Sequence, residues 1–305
     1  LKNIAITPET HAKESSRRTP MRIDSHQHFW RYTPQDYRWI GDDMAVLKQD
    51  LLPETLRPAL QRHDIQGTVL VQACYSVQET RWLLQLAEKT DFVRAVTGWV
   101  DLSSPGLEQE LDTISHPLLR GFRHQVQDEP APAQWLADPA INAGLRQLQQ
   151  KGYVYEILVT HRHLTDAVKF AKRHDDYFLV LDHFGKPDLS RGAAHWKQQV
   201  APLAGLKHVS CKLSGLLTEP RPAGMSARDL LPYFEAALEI FGAERLMFGS
   251  DWPVCLLADV DENPWDLCEQ ATATLSTDEQ AAIYGGNACT IYRLQEMTDE
   301  SASAK

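Results

Sequence analysis

Asp24-Ser25-His26-Gln27-His28 places two histidines two residues apart near the start of the first apolar segment. Strand side chains alternate between faces, so a His-x-His pair on a strand turns both imidazoles the same way. Two such rings can share a metal or grip one substrate oxygen. Far downstream, Leu246-Met247-Phe248-Gly249-Ser250-Asp251-Trp252-Pro253 ends another apolar run with an aspartate. That carboxylate supplies the charge or base that a pair of imidazoles lacks. Other polar groups stand at or near the ends of further β-rich runs: Arg123 with His124, Asp182 with His183, and Lys212 with Ser214. Glu156 lies inside one such run, with His161 and His163 just beyond it.

Each of these residues also has a bland reading. A lone histidine near a strand end is more often a satisfied core or surface residue, and His11, His63, His116, His174, His195 and His208 are read that way. His26 and His28 differ, because two imidazoles on one face of a buried strand need a polar reason to be there. Asp251 either caps the turn before Pro253 or acts chemically, and its place at the tip of the last run favours chemistry. Lys212 either snorkels outward or is functional. Arg123 and His124 either pair with a loop carboxylate or hold a carbonyl or anionic substrate by charge-assisted hydrogen bonds.

The elements that must position these groups alternate along the chain. Short β-rich runs fall at 22–29, 67–73, 93–102, 119–124, 153–159, 177–185, 209–216 and 246–253, and helical patterns separate most of them. Ser76-Val77-Gln78-Glu79 reads as a capping box opening an amphipathic helix through Trp82, Leu83, Leu86 and Ala87. Ser226-Ala227-Arg228-Asp229 opens another, and Asp138-Pro139 a third, with proline at the first turn. Strands alternating with helices predict parallel strands joined by crossover helices. Eight of them predict a single-domain α/β protein, a (β/α)8 barrel of the TIM type. A doubly wound sheet would want a Gly-rich loop after its first strand, and His26-Gln27-His28-Phe29-Trp30 is the opposite of that. In a barrel the active site lies at the carboxyl ends of the strands, where the polar residues gather.

The chain has 305 residues, 43% of them hydrophobic and 24% charged, as in ordinary globular proteins. A net charge of -10 argues against nucleic acid or an anionic membrane as partner. No apolar stretch approaches the roughly 20 residues that span a bilayer. Residues 1–20 are polar, lack the apolar core of a signal peptide and read as a disordered leader. The barrel is expected over 21–295 and a polar tail over 296–305. The cysteines Cys74, Cys211, Cys255, Cys268 and Cys289 are scattered and odd in number, which fits reduced thiols and a cytoplasmic protein.

Taken together, these blocks resemble the amidohydrolase superfamily, in the branch that hydrolyses lactones, nearest to sugar lactonases acting on L-fucono- or L-rhamnono-lactones. The resemblance runs from Met21 to Leu294. It is carried by Asp24–Trp30, Gly98-Trp99-Val100-Asp101-Leu102, Gly121-Phe122-Arg123-His124-Gln125, Leu181-Asp182-His183-Phe184-Gly185-Lys186-Pro187, Lys212-Leu213-Ser214-Gly215, Phe248–Pro253 and Gly286-Asn287-Ala288. It implies a distorted barrel in which Asp251 is the general base. It also implies that His26, His28 and His183 either bind a divalent metal or polarise the lactone carbonyl directly. No lysine ends the fourth or fifth run, where a bridging ligand of a two-metal site would stand, and only His183 follows the first pair. Three imidazoles and Asp251 suit one zinc with an open water position. Members that need no metal occur in this branch, and the expectation is that the metal is dispensable.

The mechanism so implied is hydrolytic opening of a sugar lactone, such as one arising in L-fucose catabolism. Asp251 takes a proton from water, His26, His28 and Arg123 stabilise the oxyanion, and His183 orients the water or lactone. Arg123, His124, Trp30, Trp99 and Lys212 are expected to contact the substrate. Trp39 and Trp252 are further candidates for apolar walls, with core packing as the alternative for each tryptophan. Rival readings are a mononuclear zinc amidohydrolase, a non-oxidative decarboxylase of the same superfamily, and a non-catalytic sugar-binding barrel. The expected partner is a small sugar lactone, and the protein is expected to act as a monomer or homodimer.

Overall fold

A computed structural model of the chain describes residues 21–294. The leader expected over 1–20 and the tail over 296–305 lie outside the described residues. Eight parallel strands form one sheet in sequence order. They are β1 (Ile23–Gln27), β2 (Gly67–Val71), β3 (Val93–Gly98), β4 (Leu119–Gln125), β5 (Val154–Leu158), β6 (Leu179–Leu181), β7 (Val209–Leu213) and β8 (Leu246–Phe248). Helices fill the crossovers: α1 (Pro53–Arg62), α2 (Val77–Ala87), α3 (Leu107–Thr113), α4 (Pro132–Ala137), α5 (Pro139–Gln150), α6 (Leu164–Arg173), α7 (Ala193–Val200) and α8 (Leu231–Phe241). Three more follow the last strand, namely α9 (Pro264–Thr272), α10 (Thr277–Ala281) and α11 (Asn287–Ile291). The fold is the (β/α)8 barrel that the alternation predicts.

Strand periodicity sorts the apolar residues into two layers. Ile23, Val69, Val71, Ala95, Val154, Val180 and Met247 form an inner cluster with Ala288, Ile291 and Tyr292 of the α11 segment. Their strand neighbours Leu70, Val96, Phe122, Ile157, Leu181, Cys211 and Phe248 belong to an outer cluster with Leu56, Leu83, Leu145, Phe170, Trp196 and Phe241 of the helices. The inner face is apolar toward the strand starts and polar toward their ends. That division places the chemistry at the carboxyl-terminal mouth.

The helix starts follow from side-chain chemistry. Ser76 Oγ accepts from the Glu79 amide at the head of α2, and Asp138 accepts from Ala140 and Ile141 at the head of α5. The Ser226–Asp229 box is complete and opens a short 3-10 turn that runs into α8. The first box is only half formed, because the Glu79 carboxylate turns instead to the amides of Ala73 and Cys74 and the hydroxyl of Tyr37.

Seven of the eight strands are shorter than their apolar runs, three of them markedly. The 93–102 run is strand only to Gly98, the 177–185 run only over Leu179–Leu181, and the 246–253 run only to Phe248. In the last two the backbone turns left-handed where the site residues begin. The seam between β8 and β1 is closed by those same segments. His28 N donates to Trp252 O at 2.7 Å, Asp251 N to His26 O at 2.8 Å, and Ser250 N to Asp24 Oδ1 at 2.9 Å. Among the described residues, no helix is long and apolar enough to cross a membrane.

Candidate active site

Four side chains converge at the barrel mouth. His26 and His28 come from β1 and its exit, and their Nε2 atoms lie 3.2 Å apart. Asp251 follows β8, with Oδ1 at 3.4 Å from His28 Nε2 and 3.7 Å from His26 Nε2. His183 follows β6, with Nε2 at 3.9 Å from the same oxygen. All four residues are buried. Donors of one tetrahedral zinc stand about 3.3–3.5 Å apart, given metal–ligand bonds of about 2.0–2.1 Å, so His26, His28 and Asp251 fit a single divalent cation, with His183 beside Asp251 at the longer distance.

The remaining ring nitrogens bear on that fit. His28 Nδ1 lies 2.8 Å from Val71 O, which must accept its proton and leaves the Nε2 lone pair facing the centre. His183 Nδ1 meets Ser214 Oγ at 2.8 Å. His26 Nδ1 lies 3.1 Å from Lys212 Nζ and 3.5 Å from Asp182 Oδ1. With its proton held toward Asp182, His26 also turns Nε2 to the centre. A second group of donor atoms, on His26, Asp182 and His183, also lies close together, but the Asp182 carboxylate is already engaged by Arg123 and Lys212.

Electrostatics keep this set in its ligand form. Burial, reinforced by the Lys212 ammonium, pushes His26 well below the ordinary 6.5. Burial likewise lowers His28 and pushes His183 well down, so the imidazoles are neutral. Burial would raise the Asp251 carboxyl, but His183 and His28 outweigh it and hold the group below its usual value. An anion among neutral imidazoles suits both a cation and a base.

The backbone is strained to achieve this. Asp251 has φ 56°, and His183, Phe184 and Lys186 have φ of 52°, 56° and 48°. Left-handed conformation costs a residue with a Cβ roughly 1–2 kcal/mol. Such outliers gather where side chains must be aimed. Two glycines make the room: a Cβ on Gly249 would stand 2.8 Å from His26 Cβ, and one on Gly215 (φ 76°) would stand 2.8 Å from the His183 ring.

Beneath the four donors lies a buried network of opposite charges. Lys212 Nζ donates to Glu156 Oε2 at 2.6 Å and stands 3.4 Å from Asp182 Oδ1. Thr97 Oγ1 and Tyr292 OH both donate to Glu156 Oε1 at 2.7 Å. Arg123 Nη1 donates to Asp182 Oδ2 at 3.1 Å and lies 3.2 Å from His26 Nε2, while Nη2 and Nε bind the side-chain and backbone oxygens of Gln72. Burial raises Asp182, but Lys212, His26 and Arg123 hold its carboxyl well below the usual range. Removing one member would leave a buried charge unpaired, which typically costs about 3–5 kcal/mol.

Above the donors opens a pocket of about 90 Å³, lined by His28, Arg123, His183 and Asp251 together with Trp39, Gln125, Gln127, Asp128 and Lys186. Of the substrate contacts expected from the sequence, only Arg123 lines it. Trp30 is fully buried behind His28, with Nε1 donating to Leu47 O and Gln49 O. Trp99 is outside the lining and donates to His124 Nδ1 at 3.0 Å. His124 itself is stacked between Tyr75 and Trp135 and bonded to Glu129. Lys212 is fully buried below His26. His161 and His163 sit in a turn after β5, outside the lining. The sequence reading weighed Trp39 as a wall but gave no role to Lys186, Gln125 or Gln72. Gln125 and Lys186 stand in motifs at strand ends, and Gln72 near the end of the 67–73 run, which was the available signal.

An eight-stranded parallel barrel with three histidines and an aspartate at its mouth defines a (β/α)8 protein with a histidine–carboxylate centre. The chain belongs to the amidohydrolase family, whose model matches residues 23–294. It is 44% identical over 290 residues to an L-fucono-1,5-lactonase of Burkholderia multivorans, covering 92% of this chain and 98% of that one. An L-fucono-1,5-lactonase of Burkholderia ambifaria is 39% identical over 282 residues, covering 90% and 96%. A solved amidohydrolase of Burkholderia multivorans with bound zinc is 44% identical, with a TM-score of 0.86, over 90% of this chain and 100% of that one.

Proposed function

We propose that this chain hydrolyses a sugar lactone, L-fucono-1,5-lactone or a related aldonolactone, to the open hydroxy acid. The observation that carries this reading is the gathering of His26, His28, His183 and Asp251 at the barrel mouth below an open pocket. It is supported by two lactonases with which the chain shares 44% and 39% identity.

Asp251, as an ionised carboxylate, accepts a proton from the attacking water. The lactone carbonyl lies in the pocket over His28, His183 and Asp251, while the His26 and His28 Nε2 atoms face the centre as lone pairs, suited to a cation and not to the carbonyl oxygen itself. His183, fixed by Ser214, orients the water against Asp251. As the ring carbon–oxygen bond breaks, the proton held on Asp251 passes to the departing ring oxygen. Lys212, Glu156 and Asp182 beneath hold the rings and do not meet the substrate, whereas Arg123 reaches the pocket wall. We propose that His26, His28 and Asp251, with His183 beside them, hold one divalent cation, zinc by donor type, in place of the dispensable metal expected from sequence. Bound there, the cation would polarise the carbonyl and acidify water. The reading is of a cytoplasmic protein, supported by cysteines that are odd in number, scattered and without a C-x-x-C pair, acting as a monomer or homodimer in L-fucose breakdown.

The test is metal content of the purified protein together with opening of L-fucono-, L-rhamnono- and L-galactono-lactones followed by pH indicator. The expected result is about one divalent ion per chain and catalysed opening of at least one lactone. No catalysis above the buffer rate with any of them would overturn the reading.

A further inference from the structure

Two cations line the pocket, and they differ in what is left of their hydrogen-bonding capacity. Arg123 has five N–H donors. Contacts to Asp182 and Gln72 engage four of them, and the fifth faces His26 Nε2 at 3.2 Å. Lys212, the other nearby cation, is fully buried and paired with Glu156, Asp182 and His26. Lys186 is different. Among the described residues its ammonium makes no hydrogen bond, and the nearest carboxylate oxygen, on Glu219, stands 3.9 Å away, beyond hydrogen-bond reach.

The chain goes to some expense to bring this lysine to the pocket. After β6 the run His183-Phe184-Gly185-Lys186 is left-handed throughout, with three residues that carry a Cβ. The hook buries Phe184 against Trp196 and Phe234 and sets both His183 and Lys186 in the pocket wall with Asp251. Lys186 N donates back to His183 O at 2.8 Å, and Lys186 O accepts from His161 N at 3.0 Å, so both ends of the residue are pinned.

We propose that Lys186 is a further catalytic residue, whose free ammonium binds the negative charge that appears when a neutral lactone is attacked and opened. The inference rests on the lactone-hydrolase reading. The substrate is uncharged, the tetrahedral intermediate carries an oxyanion, and the product is a carboxylate. A fixed cation therefore acts mainly on the transition state and product, which raises kcat more than it lowers KM. No proton leaves Lys186 in this role: Asp251 takes one from water and returns it to the ring oxygen.

The experiment compares Lys186→Met, Lys186→Arg and Glu219→Gln with wild type on the best lactone of the panel, measuring kcat, KM and inhibition by the hydroxy acid product. Lys186→Met should lower kcat about 10–100-fold while KM changes less than about threefold, and should weaken product inhibition in parallel. Lys186→Arg should recover most of kcat. Glu219→Gln should stay within about threefold of wild type, with all variants melting cooperatively. Wild-type kcat in Lys186→Met would overturn the proposal, as would equal losses in Lys186→Met and Glu219→Gln, which would make the lysine a structural partner of Glu219. A wild-type protein inactive on every lactone would instead overturn the functional reading.

Discussion

Asp251 is an ionised carboxylate among three neutral imidazoles, and that arrangement sets how the site responds to acid. Burial lowers His26, His28 and His183 relative to an ordinary histidine at 6.5. Their working form is the unprotonated one, so lowering the pH through 6.5 should not disable them. Asp251 is also held below its usual value, so its basic form survives the same descent. A profile of kcat/KM should therefore run flat through 6.5 and fall only at lower pH. A half-loss of activity centred near 6.5 would mean that at least one ring titrates as an exposed histidine does. At this scale the sequence was legible where residue type and strand position coincide, as for His26, His28, His183 and Asp251. It misled where a polar or aromatic residue at a strand end turns away from the mouth. Trp30 and Lys212 are such cases, since one packs into the core and the other sits below His26.

The elements show why some of that information was hidden. The eight runs were readable because buried parallel strands are nearly continuous stretches of apolar residues. Their ends were not, because β6 and β8 stop shortly before the chain turns left-handed at His183 and at Asp251, and nothing in Asp182-His183-Phe184 or Ser250-Asp251-Trp252 announces a positive φ. Gly185 and Gly215 were the available hints. Lys186 looks like a solvated loop charge until the hook after β6 folds it into the wall. Glu79 looked like the closing half of a capping box, yet it serves the end of β2. The hook also makes a sharp demand of its neighbour. Gly215→Ala would place a methyl 2.8 Å from the His183 ring on a backbone with φ 76°. We expect kcat to drop at least about tenfold and stability to fall by roughly 1–3 kcal/mol, read by steady-state kinetics and thermal melting. An alanine variant with wild-type kcat would show that His183 need not stay where Gly215 allows it.

For the whole molecule, buried carboxyls of opposite tendency shape stability with pH. Burial pushes Asp24 up from 3.8 to about 6 and Glu79 from 4.5 to about 7. The fold therefore favours their neutral forms. The stability they permit is full below their unfolded values and is lost as pH rises through about 6 and then about 7. Asp182 and Asp251 work the other way, with a contribution present above 3.8 and lost in acid. Thermal stability should peak in mildly acidic buffer and decline toward pH 8. Glu79→Gln, which cannot ionise, should decline less over that range, and an unchanged slope would remove Glu79 from the explanation. The same barrel that imposes these burial costs also joins β1 to β8 through the site itself, so fold and chemistry share hydrogen bonds at Asp24, His26, His28 and Asp251. The central claim is that Asp251 drives lactone opening at this centre. Its most direct test is the rate of L-fucono-1,5-lactone opening by wild type and Asp251→Asn, side by side and corrected for the buffer rate. Catalysis by wild type and a loss of about 10³-fold or more in a folded Asp251→Asn protein is the predicted result. Comparable rates for the two would contradict it.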